Sequence, residues 1–365
     1  MIEMIRRFKT IEAKIAGRLL IWVAVLVVVA GFIFYVAAMR RVTELYVENV
    51  HNRMLINYEY IRRVLSDVYV QVTNNVDYIE QTLDQPEGQK DIMKRIVSNG
   101  NRVHSCGMNF IRDYYPQKGE RYCPFAWRNP ENPEEILTEE KGDDDFDYLE
   151  DDWFTSTLKG DSAKWSDPFY DGYDNETALA AYMVPIHDAT GRPVAVLGAD
   201  VALSWLTDKL DETDSTYNEK SPLTSKLFGL KRQSFIINHD GRFITHPVAD
   251  RRLEGLFYKH LMGNDDNLLH MLVGQMKSGD TSIDEGQVRY LFNGEESYLF
   301  YAPLKYTDWM LVTVVPCKMI DIQAMMVGLN MMGLVALLLL VMVALTYFTI
   351  RRKRRVHKRS RGLHA

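Results

Sequence analysis

Met183–Leu206 reads MVPIHDATGRPVAVLGADVALSWL. Two apolar runs are separated by Asp188-Ala189-Thr190-Gly191, residues that favour a turn, and the second run passes into Ser-Trp-Leu. Short apolar segments bounded by turn formers are the pattern of paired β-strands. Strands are therefore expected at Leu179–His187 and Val194–Leu203, with a helix from about Ala202 to Leu210. Upstream the same kind of text places strands at Val103–Phe110 and Arg121–Trp127, after a short helix near Lys90–Ser98.

Downstream the pattern restarts. QSFIINHDGRFITHP, Gln233–Pro247, reads as strand, turn at His239-Asp240-Gly241, and strand. Helical periodicity follows at Arg252–Met262 and Asn267–Lys277, then strands at Gln287–Phe292, Ser297–Leu304 and Trp309–Val315. Two successive sheets flanked by helices imply a tandem α+β arrangement, with Asp211–Lys231 as the connector.

The ends of the chain are of a different kind. Leu19–Met39, LLIWVAVLVVVAGFIFYVAAM, contains no charge, and about 20 apolar residues span a hydrocarbon core. Met39-Arg40-Arg41 follows instead of a small-residue cleavage site, so the segment reads as an uncleaved anchor. A second uncharged stretch, Ile322–Ile350, is long enough to cross with tilt or to begin outside the membrane. Residues 1–18 carry +3, and residues 351–365, with eight Lys/Arg and no acid, carry +8. Positive flanks stay in the cytoplasm, so both termini are expected inside. The basic tail RRKRRVHKRSRGLHA is then a topology anchor in contact with anionic membrane lipid.

Subtracting the two ends from the net charge of −6 leaves −17 for residues 40–321. So acidic an outer domain would be repelled by nucleic acid phosphates and suits cationic ligands. Between Arg41 and Leu83, apolar residues recur three or four apart, from Leu45 through Met54, Ile61, Val68 and Val72 to Ile79. This is the period of one amphipathic helix continuing out of the first span, about 60 Å long, a spine for both halves of the domain.

On these residues the chain resembles the double Cache family of bacterial extracytoplasmic sensors. DDWF, WSDPFYD and MVPIHDATGRPVAVLGADVALSWL follow the order of that family's distal module, while INHDGRFITHP and YLFYAPLKYTDWMLVTVVP follow its proximal module. The likeness covers about residues 40–320 and implies two transmembrane helices flanking a tandem Cache/PAS-like domain with a long N-terminal spine helix. Family members that bind amino acids place an aromatic pair and two carboxylates around the ligand. Trp153 and Phe154 fall on the aromatic pair, Asp171 and Asp200 on the carboxylates. Asp151 stands where a carboxylate-binding Arg would be, and Phe169, beside Tyr170, replaces a Tyr.

The Asp151 departure changes the ligand chemistry. An Arg fork holds a carboxylate through two charge-assisted bonds, whereas an Asp repels it. Asp171 and Asp200 still suit an ammonium group, and Trp153 can add a cation–π contact of roughly 0.5–2 kcal/mol. An amine without a carboxylate, or a short cationic peptide, is the expected ligand. Trp153, Phe154 and Phe169 could instead be core aromatics, and the two aspartates could cap turns or helices.

Asp143–Asp152 holds seven carboxylates in ten residues without EF-hand spacing, so a solvated loop is expected there and calcium is the alternative. Cys106 and Cys123, on neighbouring expected strands in an oxidising compartment, are expected to form a disulfide; two unpaired buried thiols are the alternative. The nine His show no metal-binding spacing, and no nucleophile elbow, phosphate loop or Cys-x-x-Cys occurs. No cofactor, metal or enzymatic activity is expected.

The expectation is a membrane-anchored small-ligand sensor, the input part of a receptor that pairs as a homodimer. The other reading is a non-signalling envelope binding or assembly protein. Fifteen residues follow the second span. They are too few for an output enzyme, so either the chain is part of a longer protein or it acts through a separate cytoplasmic or membrane output partner.

Overall fold

The computed structural model describes residues 2–99, 102–142, 147–171, 177–221, 223–246, 257, 285–305 and 307–362. They form two units, residues 1–50 with 318–365, and residues 51–317.

In the larger unit, the last thirty residues of helix α1 (Ile2–Gln81) bury Met54, Ile61, Leu65, Val68, Val72 and Ile79, the stripe expected from their spacing. Helix α2 (Gln89–Asn99) buries Ile92, Met93, Ile96 and Val97. The first sheet comprises β1 (Val103–Phe110), β2 (Cys123–Arg128), β3 (Ile136–Lys141), β4 (Lys164–Trp165), β5 (Phe169–Tyr170), β6 (Ala178–His187) and β7 (Pro193–Ala202). Its order is β3-β2-β1-β7-β6-β4, with β5 also on β6, and every pairing is antiparallel. Asp188 organises the β6–β7 turn: its Oδ1 accepts from the Thr190 and Arg192 amides, and Gly191 takes φ 78°. Helix α3 (Asp152–Gly160) precedes β4, and helix α4 (Ser204–Glu219) follows β7.

The second sheet comprises β8 (Gln233–Asn238), β9 (Phe243–Thr245), β10 (Gly286–Phe292), β11 (Glu295–Leu304) and β12 (Trp309–Pro316), in the order β10-β11-β12-β8-β9. One face is lined by Phe235, Ile237, Phe243, Phe257, Phe292, Leu299, Met310, Val312 and Val314. The two sheets touch where Trp165 packs on Trp309, ring centroids 5.7 Å apart, and where Asn238 Nδ2 donates to Asp167 Oδ1 at 3.1 Å. A buried ion pair ties α4 to β8: Arg232 Nε lies 2.9 Å from Asp214 Oδ1, and Ser234 donates its hydroxyl to the same carboxylate at 3.0 Å.

The smaller unit contains the first part of α1 and helix α5 (Cys317–Gly362). Ile21–Gln81 and Cys317–Thr349 each contain a stretch long and apolar enough to cross a membrane. Gly31 faces Val335, and Gly328 faces the Tyr35 ring, so these glycines lie at contacts between the helices.

Three sequence expectations change. Helix α4 runs on to Glu219 instead of stopping at Leu210, because Leu206, Leu210, Asp214 and Tyr217 form one buried face within the charge-rich text taken as connector. Strand β3 was not expected; its ILTEEK is apolar only at Ile136 and Leu137 and is half-buried at a sheet edge. The disulfide is replaced by two free, buried thiols. Cys106 pairs with Ala126, whereas Cys123 belongs to the alternate set that includes Phe125, the partner of Gly107. Alternate residues of a strand point to opposite faces, so the two sulfurs lie on opposite sides of the sheet. Cys106 Sγ lies 3.6 Å from Met93 Sδ on the α2 side, while Cys123 packs with Tyr148, Phe154 and Met183 on the other. Apart from Phe257, the helices expected at 252–262 and 267–277 lie outside the described residues.

Candidate functional site

The face of the first sheet opposite α2 carries the candidate residues. Register places Ser105 and Gly107 of β1, Gly198 and Asp200 of β7, and Ala181 and Met183 of β6 on this face. On β7, buried Ala199 and Val201 alternate with half-buried Gly198, Asp200 and Ala202. Strand β7 is interior to the sheet, so solvent reaching these three positions marks an opening above them. Among the described residues, a Cβ built on Gly198 comes within 4 Å only of the Gly107 carbonyl, at 3.9 Å, which leaves room beside Asp200.

Two carboxylates converge at one point of β1. Ser105 Oγ donates to Asp200 Oδ2 at 2.5 Å, and the neighbouring His104 Nε2 lies 3.2 Å from Asp171 Oδ2. Adjacent strand residues ordinarily point to opposite faces. Here the β1–β7 register slips between Val103 and Ser105, an irregularity that re-aims a side chain. Burial pushes the Asp200 carboxyl up to about 6, reinforced by the Asp171 charge and opposed by Ser105, His104 and Lys141. Asp200 is thus a carboxylate whose ionised form lacks a full counter-charge near neutral pH.

A cation stands on the same face. Lys141 pairs with Cys123 across β2–β3, and its Nζ lies 3.7 Å from the centre of the Phe125 ring. Its positive charge is felt by both Asp200 and Cys123. Sequence reasoning missed Lys141 because β3 was not expected, and missed His104 because strict alternation sends it to the wrong face.

The remaining expected residues separate. Asp151 precedes α3, and Trp153 Nε1 donates to its Oδ2 at 2.9 Å, so the position expected to repel a carboxylate is engaged with the indole. Trp153 is half-buried against a core of Cys123, Tyr148, Leu149, Phe154, Ala181, Met183 and Val196. Phe154 is 2% exposed within that core. Phe169 and Tyr170, on the short strand β5, are 39% and 43% exposed. The acidic run lies partly outside the described residues, and among those described no group of three or more metal-ligating side chains occurs.

A family model for the Cache domain, of the double Cache type, matches residues 37–320. The chain belongs to this family. Solved structures share the fold at low identity. The extracellular domain of mmHK1S-Z2, described as a histidine kinase, is 16% identical, with 75% of this chain and 98% of that chain covered, at a TM-score of 0.58. The periplasmic sensory domain of the Campylobacter jejuni chemoreceptor Tlp1 is 13% identical, covering 75% and 97%, at 0.53. The ligand-binding domain of Mlp24 with asparagine is 13% identical, covering 79% and 98%, at 0.50. No curated protein matches the chain. The protein therefore carries a Cache domain of the double Cache type, flanked by two helices long and apolar enough to cross a membrane.

Proposed function

We propose that the protein senses a small amino-containing molecule outside the cytoplasmic membrane, through the opening over β7. The carrying observation is the open space above Gly198 beside the Asp200 carboxylate. An ammonium group seated there gives Asp200 the counter-charge it lacks, with Asp171 and His104 beside it. Lys141 widens the ligand class to molecules that also carry a carboxylate, and Mlp24, which binds asparagine on the same fold, supports that extension. The role is recognition without catalysis. Both termini lie in the cytoplasm, since the flanks of the apolar segments carry +3 and +8. Ligand binding acts on a separate or appended output component by favouring one of two states of the domain.

Calorimetry of residues 40–321 with a panel of amines, amino acids and short cationic peptides tests the reading. Binding by at least one compound is expected, together with its loss in Gly198→Leu, which puts an apolar side chain into the opening. A panel that gives no heat, or a compound bound equally well by Gly198→Leu, defeats it.

A further inference from the structure

The segment between α4 and β8 inverts the usual arrangement of a surface loop. Its hydroxyl residues are turned inward: Thr224 and Ser225 are 1% and 8% exposed. Thr224 Oγ1 donates to the Ser221 carbonyl at 2.9 Å, and Ser225 Oγ to the Asn218 carbonyl at 2.7 Å. The large apolar residues are turned outward, with Leu227 70%, Phe228 55% and Leu223 36% exposed. The loop is pinned at both ends. Leu230 N donates to the Thr224 carbonyl at 3.0 Å, and Asn218 brackets Arg232 by accepting from its amide and donating to its carbonyl. The apolar side chains are therefore held out by ordered backbone.

Charge and position point to one occupant. Lys220, Lys226 and Lys231 are exposed, and residues 220–231 contain no acid, although residues 40–321 as a whole carry −17. The loop feeds β8 at Gln233, whose register partner is Val314 on β12. Three residues beyond Val314, about 10 Å along an extended strand, helix α5 begins at Cys317, and its uncharged stretch starts at Ile322. A basic rim around exposed Leu and Phe is the composition of a segment that rests in an anionic bilayer surface.

We infer that Leu223, Leu227 and Phe228 dip into the headgroup region of the membrane, with Lys220, Lys226 and Lys231 on anionic lipid phosphates. The inference rests on the two-span reading above. Its test uses the full chain with Leu227→Cys carrying a polarity-sensitive fluorophore, since the three native thiols are buried. The protein is reconstituted in phosphatidylcholine vesicles with and without phosphatidylglycerol. Leu338→Cys marks the span and Glu131→Cys an exposed loop.

A lipid-attached quencher should act on position 227 at least about twofold more than on position 131, more strongly with phosphatidylglycerol. Lys220→Glu, Lys226→Glu and Lys231→Glu together should abolish the difference. Equal access of an aqueous quencher to 227 and 131, with 338 lipid-accessible, overturns the inference alone. Loss of lipid access at 338 overturns the two-span reading and the inference with it. Shielding of 227 that grows with protein concentration and ignores lipid composition assigns the patch to a second copy, which also overturns it.

Discussion

Replacing Asp200 by Asn should stabilise the outer domain while abolishing its ligand response. Burial raises the Asp200 carboxyl from 3.8 to about 6, two units and more, and a unit is worth about 1.4 kcal/mol. The folded form thus holds a proton that the unfolded chain releases between those values. This contribution is fully present below the unfolded value near 3.8 and is lost as pH rises through about 6. At pH 8 the ionised carboxylate costs at most about 3 kcal/mol, and about 1–2 kcal/mol once solvent contact with this half-buried group is allowed for. Asn keeps the shape and can still accept from Ser105, which now donates at 2.5 Å. Urea denaturation of residues 40–321 should show Asp200→Asn more stable than the parent at pH 8, with the gap closing toward pH 4.5. Calorimetry should show the bound compound lost. A variant no more stable at pH 8, or a gap independent of pH, refutes the view that Asp200 is held against its ionisation preference for a ligand.

Two further substitutions test the frame around the site. Asp214→Ala leaves the Arg232 guanidinium buried without its carboxylate, and should cost about 3–5 kcal/mol in the same denaturation assay; a loss below about 1 kcal/mol would mean the pair contributes little to joining α4 and β8. His187 joins Glu80 of α1, at 3.1 Å from Nδ1, to Asp161 after α3, at 2.6 Å from Nε2, and the Asp161 and Glu80 bonds raise its pKa. Its stabilising effect is present below the unfolded value of about 6.5 and fades as pH rises through the higher folded value. His187→Gln should therefore lower the melting temperature at pH 6 more than at pH 8.5; equal losses at both would deny the imidazolium a role.

Much of the architecture was legible because its signals are local. Val103–Phe110 sets Val103, Cys106, Met108 and Phe110 in one short stretch between turn formers, and it forms β1 with those ends. Trp309 to the Pro316 boundary was legible for the same reason. The stretch Asp211–Glu219 was not, because its charged text hides a buried face completed only by Arg232 and Ser234 from the next sheet. The site divides along the same line. Asp171 and Asp200 came from a family pattern, and the structure brings them to adjacent residues of β1. The partners that give them their chemistry depend on a register slip at His104 and on an edge strand that carries Lys141, neither of which has a periodic signature.

The sulfurs of Cys106 and Cys123 have a consequence for where the domain can work. Each is sealed on its own side of the sheet, and burial pushes the Cys123 thiol up to about 12 and that of Cys106 well above its usual value. Thiolates are the form that oxidants attack, so neither sulfur invites peroxide or exchange with glutathione. The fold owes nothing to a crosslink and nothing to the enzymes that install one. It should keep its shape, and its response, in aerobic and anaerobic surroundings alike.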